Sequence, residues 1–197
     1  MGSKSIRDER KAHRKKQKTK RTFVWMGIGI VVVIIIGFVA WTIFKPAAGE
    51  SVPIMANAGD HVQPGSDPGP FNSNPPTSGR HYGQEFEAGF YEETDSEIQN
   101  EFPEGYLIHN LEHGYIIFWY NCDLLDEASC SNLKSQIKGV MDEFNNFKVI
   151  GFPYSSINVP LAMTSWGRIQ TFDKFNPNAA SDFVRSNRNR APEPNAP

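Results

Sequence analysis

Residues Phe23 to Phe44 read FVWMGIGIVVVIIIGFVAWTIF, 22 positions without a charge. Few structures can accommodate such a stretch. As a helix rising about 1.5 Å per residue it spans roughly 33 Å, slightly more than the roughly 30 Å hydrocarbon core of a bilayer. Its Val and Ile content favours a strand by propensity, but strands rarely exceed about ten residues. A cleaved signal peptide carries an apolar region of only about 7–15 residues. Trp25 and Trp41 stand near the two ends, where amphipathic rings prefer the membrane interface. The run therefore predicts one transmembrane helix over 23–44.

The net charge of −2 is the sum of two unlike parts. Residues 1–22 carry ten Lys and Arg against Asp8 and Glu9, a balance of +8, whereas residues 45–197 carry a balance of −10. A basic cluster before an apolar span holds that side in the cytoplasm. The expectation is a single-pass cell-membrane protein with a basic cytoplasmic tail over 1–22 and an acidic domain outside the cytoplasm. Membrane lipid is its first predicted partner. Nucleic acid is excluded for the domain, because phosphate backbones call for Lys and Arg.

Residues 45–58 (KPAAGESVPIMANA) read as a linker and 59–187 as the globular domain. The stretch 59–83 is dense in Gly, Pro, Ser and Asn, which forbids regular helix. Its aromatic residues and histidines predict an ordered loop. Tyr115–Tyr120 (YIIFWY) is a strand without polar alternation, hence one buried on both faces. Leu133, Ile137, Val140, Met141 and Phe144 recur at helical spacing, with Ser131 as a candidate N-cap. Phe147–Phe152 reads as a second strand stopped by Pro153, and Leu161–Phe172 as one or two strands around Trp166-Gly167. Asn176-Pro177 marks a helix start. Residues 188–197 (RNRAPEPNAP) have the composition of a disordered tail. The order strand, helix, strand, strands, helix gives an α/β or α+β class: a small mixed sheet with two packing helices, in the manner of the later part of a thioredoxin-like fold. No Cys-x-x-Cys is present, so thiol–disulfide exchange of that kind is not expected.

Cys122 and Cys130 are the two cysteines. Outside the cytoplasm such a pair is expected to be a disulfide. Four histidines also fall in the domain: His61, His81, His109 and His113. In His109-Asn110-Leu111-Glu112-His113-Gly114 the two imidazoles can reach one ion only if the segment is a helix or tight turn, because in a strand they share a face but stand about 13 Å apart; Gly114 is suited to end such a turn. His61 and His81 would supply further ligands and Glu112 a ligand or supporting carboxylate. Imidazole suits Zn, Cu, Fe and Ni; Met163 is a candidate soft ligand for Cu(I). His-x-x-Glu-His is also the inverted zincin pattern, with Glu112 as the catalytic base. The helix available there is about two turns long and a third ligand is not evident, so an enzyme is the weaker reading. A non-catalytic module that docks a partner protein through the PPTSG loop is a further alternative.

Three segments resemble a known family: Asn74-Pro75-Pro76-Thr77-Ser78-Gly79-Arg80-His81-Tyr82, His109-Asn110-Leu111-Glu112-His113-Gly114 and Ser165-Trp166-Gly167-Arg168. Together they resemble the bacterial domain of unknown function numbered 3105, over about residues 59–175. The resemblance implies a short membrane-anchored protein with an extracytoplasmic domain. It singles out His81, His109, Glu112 and His113 and implies no particular reaction.

Overall fold

The structure, a computed structural model, describes residues 25–39 and 46–195. The chain divides into two compact units, Met1–Pro46 and Ala47–Pro197. In the first, residues 25–39 are helical and their side chains are exposed. Among the described residues no helix is long and apolar enough to cross a membrane. The basic tail over 1–22 and both ends of the expected span, 23–24 and 40–44, lie outside the described residues.

The second unit is mixed α+β. Its strands are β1 (Glu50–Ser51), β2 (His61–Val62), β3 (His81–Tyr82), β4 (Gly89–Phe90), β5 (Ile116–Tyr120), β6 (Val149–Pro153), β7 (Leu161–Ser165) and β8 (Arg168–Phe172). Its helices are α1 (Glu104–Glu112), α2 (Glu127–Glu143) and α3 (Pro177–Asn187). One six-stranded sheet runs β1-β8-β7-β5-β6-β4, and β2 and β3 form a separate parallel pair.

β5 is the inner strand expected from YIIFWY. It pairs with β6 in parallel and with β7 antiparallel, and all five of its residues are buried. Alternation along β5 then divides the core. Ile116, Phe118 and Tyr120 face α2 and α3, with Leu133, Ile137, Phe183 and Val184. Ile117 and Trp119 face the opposite layer, with Leu107 and Leu111 of α1, Phe86 and Phe152. Trp119 keeps its buried indole satisfied by donating to Thr164 Oγ1 at 2.7 Å.

The element order expected over 115–187 is found, with three corrections. The helix anticipated from Ser131 starts earlier, at Glu127, because Asp126 caps it: its carboxylate accepts from Ser129 N–H at 2.8 Å. The segment expected to be a linker belongs to the sheet. β1 pairs with β8, and Arg168 donates to the carbonyls of Ala47 and Gly49 at 3.2 and 3.0 Å. The segment expected to be a disordered tail is hydrogen-bonded over its described residues. Asn189 N–H donates to Gly114 O at 2.9 Å and Glu193 N–H to Glu112 O at 3.1 Å. Composition suggested a linker in one and a disordered tail in the other because neither holds apolar periodicity; hydrogen bonds to main-chain groups hold them instead.

The Gly/Pro-rich loop is ordered, as expected, and for a definable reason. Asn72 Oδ1 accepts from the N–H groups of Thr77 and Ser78 at 3.1 and 3.0 Å, and its amide donates to Pro53 O at 3.0 Å. Residues 75–79, the PPTSG segment, are buried rather than presented at the surface. Cys122 and Cys130 form the expected disulfide, which ties the turn after β5 to the first part of α2.

α1 is held close to β3 by a missing side chain. A Cβ on Gly105 would lie 2.5 Å from Cε2 of the buried Tyr82 ring. Alanine favours helix over glycine by about 1 kcal/mol, yet here overpacking dominates. Gly105→Ala is expected to destabilise the domain by roughly 1–3 kcal/mol, measured by chemical denaturation; a stabilised variant would refute the close fit.

Candidate metal centre

His61 and His81 come together because the parallel pairing of β2 and β3 places them directly opposite one another. His81 is fully buried, while the His61 side chain is 51% exposed and forms the mouth of the site. Helix α1 supplies the other wall. His109 and Glu112 are three residues apart and therefore share a helix face.

Glu112 Oε2 is the point of convergence. It lies 2.9 Å from His81 Nε2, 3.8 Å from His61 Nε2 and 4.0 Å from His109 Nδ1. One ligand atom from each of the four residues falls within 4.8 Å of the others, so the group has a geometry that could hold a metal ion. Ligands of a tetrahedral zinc with bonds of about 2.0–2.1 Å lie roughly 3.3 Å apart. The observed separations from Glu112 Oε2 bracket that value, at 2.9 Å to His81 and 3.8 and 4.0 Å to His61 and His109.

Two features show what the cluster lacks. His109 Nδ1 is buried and has no hydrogen-bond partner. An orphaned buried polar atom costs stability and calls for an explanation. The second is His81. Its Nδ1 lies 3.0 Å from Gly79 O, which can only accept, so Nδ1 carries the hydrogen. Nε2 then presents a lone pair toward the Glu112 carboxylate unless a hydrogen lies on that 2.9 Å line or a cation lies beside it. The arrangement has the form of a metal ligand whose second ring nitrogen donates to a backbone carbonyl.

α1 ends where the site needs it to. Gly114 N–H donates to Leu111 O and Tyr115 N–H to Asn110 O, the paired bonds of a Schellman termination, and Gly114 has φ +83°. Lys148 Nζ donates to His113 O at 2.9 Å, placing a cation at the negative end of the helix. Asn110 is buried and clasps Phe86 from both sides, accepting from its N–H at 3.1 Å and donating to its carbonyl at 2.8 Å.

The expected residues do not all join one group. His61, His81, His109 and Glu112 converge. His113 packs beside His109, with ring centroids 4.3 Å apart, but its Nδ1 meets Glu85 Oε2 at 2.8 Å. It falls in a second group, with Glu85 and His109. Met163 is away from both: it is buried in the core beneath α2 and α3. Sequence reasoning missed Glu85, one of several acidic residues in an aperiodic stretch. The buried mid-helix Asn110, whose clasp on Phe86 delivers Glu85, was the available signal.

Burial, then the nearby His113, His81 and His61, lowers the pKa of His109 from the usual 6.5 to about 4. A depressed folded pKa means that the unfolded chain takes up a proton first as pH falls. The associated stability is present above pH 6.5 and is lost as pH falls toward 4. That loss should amount to at most about 3 kcal/mol. An imidazole NMR titration of the metal-free protein should find His109 still neutral at pH 5; protonation near 6.5 would contradict the environment described.

The family model for "Protein of unknown function (DUF3105)" matches residues 61–197, more than two-thirds of the chain. No curated protein and no solved structure matches it. The matched region contains His61, His81, His109, Glu112 and His113, and by that match the chain belongs to the DUF3105 family.

Proposed function

We propose that this protein is a membrane-anchored, extracytoplasmic domain that binds a transition metal ion, zinc or copper, through His61, His81, His109 and Glu112. The observation that carries the reading is the buried, partnerless His109 Nδ1 aimed at a carboxylate that two other imidazoles also approach. Three neutral imidazoles and one carboxylate suit borderline divalent ions. His81 is oriented by Gly79 O, so its Nε2 is preset for binding. The exposed His61 provides a route from solvent.

The anchor is proposed from the uncharged run Phe23–Phe44 and the basic segment before it. The placement outside the cytoplasm draws further support from the Cys122–Cys130 disulfide, since such bonds persist in oxidising compartments. The hydrolase alternative is not favoured by the geometry. Glu112 stands among the imidazole nitrogens of His61, His81 and His109 as a ligand would, rather than apart from them as a general base would. The docking alternative through the PPTSG segment is not favoured either, because those residues are buried.

Full-length protein purified in detergent should carry zinc or copper, quantified by mass spectrometry. Glu112→Gln, which keeps the shape and removes the charge, should lower affinity by at least about 100-fold, more than loss of an outer-shell partner costs. His109→Ala should do the same. Unchanged metal content in both variants would exclude the site. After cell fractionation the intact chain should sediment with membranes, and protease added outside should reach the domain; recovery in the soluble fraction would remove the anchor.

A further inference from the structure

The four-ligand group leaves His113 unused, although its side chain is only 9% exposed and it lies one turn from His109. We propose that a second divalent cation binds beside the first, held by Glu85, His109 and His113. This rests on the metal reading above only through His109, which the two sites share.

The ligand atoms of Glu85, His109 and His113 lie within 4.8 Å of one another. His109 can serve both groups because imidazole has two ring nitrogens. Its Nδ1 is 4.0 Å from Glu112 Oε2, on the first site, and its ring centroid is 4.3 Å from that of His113. Bridging two ions requires the remaining ring hydrogen of His109 to leave as a proton, so loading the second ion releases acid.

The second group repeats the logic of the first. A carboxylate oxygen, Glu85 Oε2, faces a ring nitrogen, His113 Nδ1, at 2.8 Å, as Glu112 faces His81 at 2.9 Å. An ion bound at Nδ1, to one side of that line, in place of the hydrogen there leaves His113 Nε2 to carry one instead. Glu193 Oε2 is 3.8 Å from Nε2, beyond hydrogen-bond distance but on the side from which a carboxylate would orient a metal-bound imidazole. Glu193 is placed there by its own N–H, which donates to Glu112 O, and by Lys148, whose Nζ holds Pro194 O at 2.9 Å. Lys148 is the nearby cation, and it is directed at the carbonyls of His113 and Pro194 rather than at Glu85.

The arrangement is positioned rather than incidental. The two hydrogen bonds from Asn110 fix the backbone at Phe86, next to Glu85. Charge also fits: Glu85, Glu112 and Glu193 offset most of the charge of two divalent ions. Glu85 is partly exposed, at 32%, so the second site opens to solvent through it.

The test is zinc stoichiometry of the full chain in detergent, by equilibrium dialysis and metal analysis. Wild type should bind two equivalents, and the double variant Glu85→Gln/His113→Gln one. Glu85→Gln alone, at a partly exposed position that folding tolerates, should weaken the second equivalent by at least about tenfold and leave the first within about twofold. One equivalent in both wild type and double variant overturns the second site and leaves the first standing. Two equivalents in the double variant overturn the assignment to these residues. No zinc in any protein overturns both readings.

Discussion

Burial of β5 on both faces is the constraint from which the rest of the domain follows. Five consecutive residues without solvent contact, Ile116–Tyr120, require a layer above and a layer below. α2 and α3 form one layer. The other is built around α1, which joins β5 through the single turn at Gly114. α1 therefore cannot drift. Its inner face is committed to the core through Leu107 and Leu111, and three of its other buried positions, His109, Asn110 and Glu112, hold the histidine site and the clasp on Phe86. The site's rigidity is inherited from the sheet.

That dependence explains why so much polarity is tolerated inside. Burying His81, His109, Asn110 and Glu112 works against stability unless each group is satisfied. Asn110 is, through two hydrogen bonds to one residue. His81 is satisfied at one nitrogen by a carbonyl. Of these four residues, His109 Nδ1 is the atom buried without a hydrogen-bond partner, and it lies 4.0 Å from the Glu112 carboxylate. A fold selected for stability alone would place an apolar side chain there. A buried polar atom without a partner calls for an explanation, and the metal proposed above would supply one.

The sheet layer was legible from the sequence because its signals are local. YIIFWY, the helical recurrence of Leu133, Ile137 and Val140, and the Asn176-Pro177 start each lie within one element. The site was legible only as a set of residue types. His61 and His81 meet through a two-residue parallel ladder across a segment with no periodicity at all. The same-face argument for His109 and His113 was sound for their rings, but it could not foresee that Glu85 engages the second imidazole and draws it into another group. The two ends of the domain were misjudged for a related reason. Composition reports how much apolar surface a segment can bury, and β1 and the segment after α3 are held by main-chain hydrogen bonds, which leave no compositional trace.

The short line between His81 Nε2 and Glu112 Oε2 has a geometric consequence for the proposed site. At 2.9 Å it is too short for an ion with bonds of about 2.0–2.1 Å to lie along it. An ion held by both atoms would sit to one side of the line, and His61 and His109 also approach the same carboxylate oxygen. The pocket would then be three-walled, with two buried sides and the exposed His61 as its lip.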